Sequence, residues 1–164
     1  MNAVVRRVRD TDADGLIRLI DVCWSAYEGC ILDVDAEEPQ LRAMRSHFDA
    51  IGGEYWVLED AARGIVAGGG GAPAADPSGI ELHKLYVIAE LRGRGIARRL
   101  VGMAETAGHR RGSRFVELWS DTRFLEAHAF YAALGYRRSG ETRVLDDLSN
   151  TTEFHFVKDP FTVS

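Results

Sequence analysis

The sequence predicts an α/β fold: one domain with a mixed, mostly antiparallel sheet of about six to seven strands, flanked by helices. Three observations predict it. The chain has 164 residues, 46% of them hydrophobic and 27% charged, the size and balance of one soluble globular domain. Such a domain buries about two-thirds of its unfolded surface, enough for a core without metal or disulfide staples. Strand-like segments outnumber helical ones, and hairpin-length turns join the early and the late strands, which excludes a strictly alternating doubly wound sheet. Near mid-chain, one strand leads through a glycine-rich loop into a long amphipathic helix.

Val4–Val8 reads as the first short strand, and Thr11 or Asp12 stands where it can cap the next helix. That helix carries Leu16, Leu19, Ile20, Cys23 and Trp24 at helical spacing. Residues 25–50 read as a helical region broken at Pro39. Tyr55–Glu59 and Gly64–Gly68 form two strands around a turn at Asp60–Arg63, and the Gly68–Gly71 run with Pro73–Gly79 reads as loop. Ile80–Val87 is the next strand. Arg94–His109 is a helix with Ile96, Ala97, Leu100, Val101, Ala104 and Ala107 inward. Phe115–Ser120 is a strand, and Leu125–Leu134 is a helix ended by Gly135. Strands around Tyr136–Leu145 and Thr152–Val157 close the chain, separated by the polar loop Asp146–Thr151.

No repeat or linker divides residues 1–164. No window approaches the ~18 consecutive apolar residues of a membrane-spanning helix. The opening MNAVVRRVRD carries no apolar signal-peptide core, so the cytoplasm is the expected compartment. With 20 basic residues against 25 acidic ones, the net charge of −5 disfavours a nucleic-acid binder. The charge is uneven. Residues 92–114 hold seven arginines, whereas Glu28, Asp33, Asp35, Glu37 and Glu38 crowd residues 28–38. The arginines fit either a small anionic ligand or a solvated helix face. Cys23 and Cys30 lie seven apart, about 10 Å along a helix, too far for a disulfide, and the five histidines show no metal-ligand spacing.

The chemistry concentrates in ELHKLYVIAELRGRGIARRLVGMAE. A glycine-rich loop opening a helix offers unpaired N–H groups and the positive end of a dipole to a phosphate. No Gly-Lys pair exists for a P-loop, and Arg98 stands where a dinucleotide fingerprint needs its third glycine. What remains is Arg-x-x-Gly-x-Ala, Arg92 to Ala97.

With the strand LHKLYV before that motif, an amphipathic helix after it, the strand FVELW and then LEAHAFYAALGY, residues 80–140 resemble the GCN5-related N-acetyltransferases (GNAT family). The resemblance implies the family's fold, an acetyl-CoA core over about 80–140 and a variable acceptor side at about 25–50. The implied activity is transfer of an acetyl group from acetyl-CoA, as co-substrate and without a metal, to a primary amine of a small molecule or a protein. A small-molecule acceptor is favoured, with no nucleic-acid or membrane partner, and a homodimer is left open. The main chain of Leu85, Tyr86 and Val87 would pair with the pantetheine arm. The amides of Arg92, Gly93, Arg94, Gly95, Ile96 and Ala97 would hold the pyrophosphate. Tyr131 aligns with the tyrosine that protonates the departing thiolate, and Glu81, eleven residues before Arg92, with the general base of the histone-acetylating branch. Many members carry Asn seven residues before that tyrosine. Phe124 stands there in this chain, which puts the corresponding contact in question.

Each residue also has a plainer reading. Glu81 fits a sheet-edge carboxylate, His83 a packed histidine that could instead relay a proton, and Tyr131 a core cap beside Phe130. Trp24, Tyr27 and Trp56 are assigned to packing ahead of a substrate cleft. Ser120, Asp121 and His128 lack a nucleophile elbow and are discounted as a triad. A non-catalytic acyl-CoA-binding module on the same fold is the alternative function. The acidic segment at 28–38 points to a cationic acceptor.

Overall fold

The strands of the chain join in one seven-stranded sheet. The computed structural model describes residues Met1–Ser164. The strands are β1 (Ala3–Arg7), β2 (Glu54–Asp60), β3 (Gly64–Pro73), β4 (Gly79–Val87), β5 (Phe115–Asp121), β6 (Arg137–Val144) and β7 (Thr152–Lys158). Their order is β1-β2-β3-β4-β5-β7-β6, antiparallel everywhere except between β4 and β5. The β2–β3 turn closes on Asp60, whose carboxylate accepts from the amides of Ala62 and Arg63, both at 3.0 Å.

The helices are α1 (Ala13–Trp24), α2 (Val34–Glu37), α3 (Met44–Ala50), α4 (Ile96–Arg110) and α5 (Leu125–Ala133). One face of the sheet buries Leu16, Leu19 and Ile20 of α1, with Leu41, Met44 and Phe48, against Tyr55, Val57 and Ile65. The other buries Leu100, Val101 and Ala104 of α4, and Tyr131 of α5, against Ile80, Leu82, Val116, Leu118 and Phe156. Each such aliphatic side chain contributes about 1.5–3 kcal/mol by leaving water. No helix is long and apolar enough to cross a membrane.

Three expectations are corrected. The Gly68–Gly71 run is strand, not loop. Glycine serves there for closeness: a Cβ at Gly69 would lie 2.8 Å from Leu85, and one at Gly70 2.3 Å from the Glu54 carbonyl. Neither Thr11 nor Asp12 caps α1 through its side chain. The Asp12 carboxylate instead takes two 2.8 Å bonds from the Arg6 guanidinium and one from the Arg9 amide at 2.7 Å. Cys30 lies beyond α1, which stops at Trp24, so the two thiols share no helical face; both are free.

Candidate active site

The site opens where two parallel strands stop pairing. β4 and β5 are partners only at Gly79–Phe115, Ile80–Val116 and Glu81–Glu117, so the rest of β4 turns an unpaired edge toward β5. The ladder to β3 shifts at the same place, pairing Gly68 with Tyr86 but Gly70 with His83. Lys84 adopts φ 51°, and its carbonyl accepts from the buried Tyr55 hydroxyl at 2.7 Å, which holds the bulge. Beyond the bulge, the Ile88 amide bonds the Val66 carbonyl at 3.1 Å. Strand alternation therefore turns the backbone groups of Val87 to the open edge. Its carbonyl accepts there from Arg92 Nε at 3.2 Å and from Cys23 Sγ at 3.6 Å.

A first cavity of about 390 Å³ lies along that edge. Leu85, Tyr86 and Val87 form one wall, Arg92, Gly93, Gly95, Ile96 and Ala97 one end, and Phe124, Ala127, Phe130 and Tyr131 the opposite wall. Gly93 and Gly95 hold φ 74° and 77°, which only glycine adopts at little cost. Gly95 precedes α4 without a side-chain cap, and the first bond of the helix runs from the Arg99 amide to the Gly95 carbonyl at 3.0 Å. The amides of Ile96, Ala97 and Arg98 thus precede the ladder, and a Cβ built at Gly93 or Gly95 meets no atom within 4 Å. This cradle of open N–H groups fits a pyrophosphate. The left-handed backbone at Gly93 and Gly95 gives the cradle its shape. Arg92 braces the cradle from Val87 to Glu126 (3.2 Å). The Arg94 side chain is exposed and lines a separate recess near Asp60 and Glu90, leaving only its backbone to the loop.

A second cavity of about 540 Å³ meets the first, and Trp24, Leu85, Tyr86, Phe124, Ala127 and Tyr131 line both. Tyr131 is a largely buried residue whose hydroxyl opens to that shared wall and has no hydrogen-bond partner in the chain; burial pushes its pKa well above 10 and keeps it a donor. Glu81 and His83 face the second cavity, with Nε2 of the histidine 3.7 Å from the carboxylate. Burial raises the pKa of Glu81; Arg143 pulls it down, while Glu117 and Glu153 push it up. Burial, assisted by Lys84, lowers His83 to about 4, so it is neutral at physiological pH.

Seven acidic residues line this cavity (Glu37, Glu38, Glu81, Asp121, Asp146, Asp147 and Glu153) against two cationic ones, Lys84 and Arg143. Both cations are already paired, Lys84 with Glu38 and Arg143 with Glu153. The surplus is negative. From the acidic 28–38 segment only Glu37 and Glu38 reach the cavity. Asp33 caps α2 through the Ala36 amide, Asp35 pairs with Arg42 at 2.8 Å, and Glu28 is exposed.

Trp24 and Tyr27 prove to line the first cavity, Trp24 donating to the Tyr86 hydroxyl at 3.0 Å and Tyr27 packing its ring against Phe124, tilted, with centroids 4.6 Å apart. Trp56 is core. Phe124 therefore supplies an apolar wall where an Asn would supply a polar contact. Asp121 is held by Arg123, and His128 bonds only the Asp121 carbonyl, so no triad forms. Tyr55, Trp119, Arg143 and Asp146 were not singled out from sequence. The alternation Val116-Glu117-Leu118-Trp119 was the available signal for a polar face on β5.

Residues 52–138 match the acetyltransferase (GNAT) domain model. Over 137 residues, covering 81% of each chain, the sequence is 30% identical to the uncharacterized N-acetyltransferase YjgM of Escherichia coli (strain K12). A GNAT-family acetyltransferase from Staphylococcus aureus Mu50 shares the fold at TM-score 0.81 and 18% identity, over 97% of this chain and 99% of that one. So does yncA from Salmonella typhimurium, solved with its cofactor acetyl-CoA, at TM-score 0.73 and 11% identity over 98% and 95%. Fold, site and relatives define an acetyl-CoA-dependent acyltransferase. The chain belongs to the GCN5-related N-acetyltransferase (GNAT) family.

Proposed function

We propose that the chain moves an acetyl group from acetyl-CoA to the primary amine of a small cationic molecule. The observation that carries this reading is the meeting of the two cavities at Tyr131, one edged by open backbone amides and the other by carboxylates. Acetyl-CoA supplies a thioester carbonyl open to attack by nitrogen. The amides around Gly93–Ala97 hold the pyrophosphate, and the free edge of Leu85–Val87 pairs with the pantetheine arm as an added strand would. The Val87 N–H, turned to that edge, is the donor offered to the carbonyl oxygen.

Glu81 takes the proton of the amine. Its burial-raised pKa makes it a stronger base than an exposed carboxylate, and below that pKa it is protonated and idle. His83, neutral and 3.7 Å away, stands beside Glu81 without adding a charge to the site. Tyr131 gives its proton to the sulfur. The negative surplus around Glu37, Glu38 and Asp146 supports a cationic acceptor over a neutral or acidic one. A panel of alkyl amines, polyamines and peptides assayed by CoA-thiol release tests the reading. Turnover is expected with cationic small amines; release with peptides alone would move the acceptor class to proteins, and release with none would leave the acyl-CoA-binding module.

A further inference from the structure

The second cavity holds a cation of its own. Asp121, Glu153 and Arg143 are register partners across β5, β7 and β6, and all three line that cavity. Asp121 is consumed by Arg123. Arg143 donates through Nε to one oxygen of the Glu153 carboxylate at 2.8 Å, and its guanidinium carbon stands 4.4 Å from the centre of the Trp119 ring. A carboxylate at the side and an indole face below are the groups that hold an organic cation. The Glu153 side chain is withdrawn, 13% exposed, whereas Arg143 is 42% exposed and hangs from an edge strand open to solvent along its whole length. The socket belongs to the fold, and the occupant is an arm laid into it from outside.

The socket lies close to the reacting end. Trp119 is two residues past Glu117 on one face of β5, and Glu117 is the strand partner of Glu81. Spacings of about 4.8 Å across the strands and about 6.7 Å for two residues along one put the Trp119 and Glu81 backbones about 8 Å apart. A short diamine spans that separation. Burial raises the pKa of Glu81, and Arg143 is the neighbour that opposes the rise, so its charge is felt at the base.

We propose that Arg143 fills a second cation subsite, made by Trp119 and Glu153, and so restricts the acceptor to a single positive charge. The inference rests on the second cavity being the acceptor site. A tethered group competes at an effective concentration of about millimolar, so a free ammonium group at lower concentration displaces it poorly. A diamine with one nitrogen at Glu81 brings its second to a place already filled by a like charge. Arg143 thus selects by exclusion and touches no reacting atom.

The test measures kcat/KM by CoA-thiol release in the full-length chain for butylamine and putrescine, which share a carbon chain and differ in the second ammonium group. The wild type should favour butylamine. Arg143→Ala uncovers Trp119 and Glu153 and should raise the putrescine-to-butylamine ratio about tenfold, the combined scale of one indole face and one carboxylate. Arg143→Met removes the same charge but keeps an unbranched arm over the indole, so its ratio should move less than about threefold. Any change in the protonation of Glu81 falls on both amines and cancels in the ratio. Neither substitution empties a buried volume, because β6 is exposed. Methylguanidinium should refill the subsite of Arg143→Ala and return its ratio toward wild type, whereas urea, planar and uncharged, should not. An unchanged ratio in Arg143→Ala, an equal rise in Arg143→Met, or no response to methylguanidinium would overturn the subsite and leave the acetyltransferase reading intact. So would a wild-type preference for γ-aminobutyrate over butylamine that Arg143→Ala loses, which would make Arg143 the ligand of an acceptor carboxylate. A wild type that releases no CoA thiol with any alkyl amine would overturn that reading and the subsite with it.

Discussion

The two cavities that meet at Tyr131 are built by different means. The first is edged by main chain: the unpaired edge of β4 and the amides of a loop whose shape depends on Gly93 and Gly95. The second is edged by side chains drawn from α2, β4, β5, β6 and β7 and the loop at Asp146–Asp147. A backbone-built site needs a few glycines at fixed spacing in one contiguous stretch, so its position is written locally. A side-chain site needs residues from distant segments, and its chemistry changes whenever one of them does.

The largest effect should come from breaking the backbone side. Gly95→Val forces a β-branched residue toward φ 77°, which costs about 1–3 kcal/mol or relaxes the loop out of its cradle. Affinity for acetyl-CoA, measured by calorimetry on a folded variant, should fall about a hundredfold, since each 1.4 kcal/mol is tenfold. Unchanged affinity would remove the pyrophosphate assignment.

Tyr131→Phe tests the shared wall. It keeps the ring among Phe130, Tyr136 and Phe156 and removes only the proton. With a thiolate leaving group of pKa near 8.5, the loss in kcat should be about ten- to a hundredfold, with acetyl-CoA affinity preserved. Because burial holds the phenol protonated well above pH 10, the basic limb of the pH profile should not move. A wild-type kcat, where chemistry limits the rate, would reduce Tyr131 to packing.

On the side-chain side, Asp146→Asn should raise the KM of a cationic amine about threefold, the scale of one exposed charge, and leave acetyl-CoA affinity alone. The effect should shrink at high salt. Asp35→Asn, at a residue held by Arg42 outside the cavity, should change neither. Equal effects from the two would break the proposed boundary of the acceptor site.

The subtlest change is expected from Arg143→Gln. Activity should rise with pH as Glu81 loses its proton. Arg143 holds the pKa of Glu81 down against burial, so its loss should move that acid limb to higher pH. A limb displaced to lower pH would contradict the electrostatics, and a limb unchanged in Glu81→Gln would assign the base elsewhere.

The same contrast explains what could be read before the structure. Arg92–Ala97, its preceding strand and the Phe130–Tyr136 stretch were legible because their geometry is local: glycine spacing, a helix start, a helix stop. The seven strands followed from period and turns. The Gly68–Gly71 run misled because a glycine cluster signals a loop by propensity, whereas here the missing side chains admit Leu85 and the β2 backbone. Tertiary contact overrode propensity. Asp12 misled for a related reason, since the half-buried Arg6 guanidinium competed for the carboxylate with the helix amides. Of the acidic segment 28–38, only Glu37 and Glu38 line the second cavity. Charge density says nothing about which carboxylates a cap or an ion pair consumes.

An amide-resolved NMR titration tests the division between the two cavities most directly. Coenzyme A should shift the amides of Gly93, Gly95, Ile96 and Ala97 most, with those of Leu85 and Val87 next, and leave Trp119, Asp146 and Glu153 nearly still. A cationic amine should move the second set and spare the loop. Coenzyme A shifts centred on Trp119 and Asp146, with Gly93–Ala97 unmoved, would contradict the account.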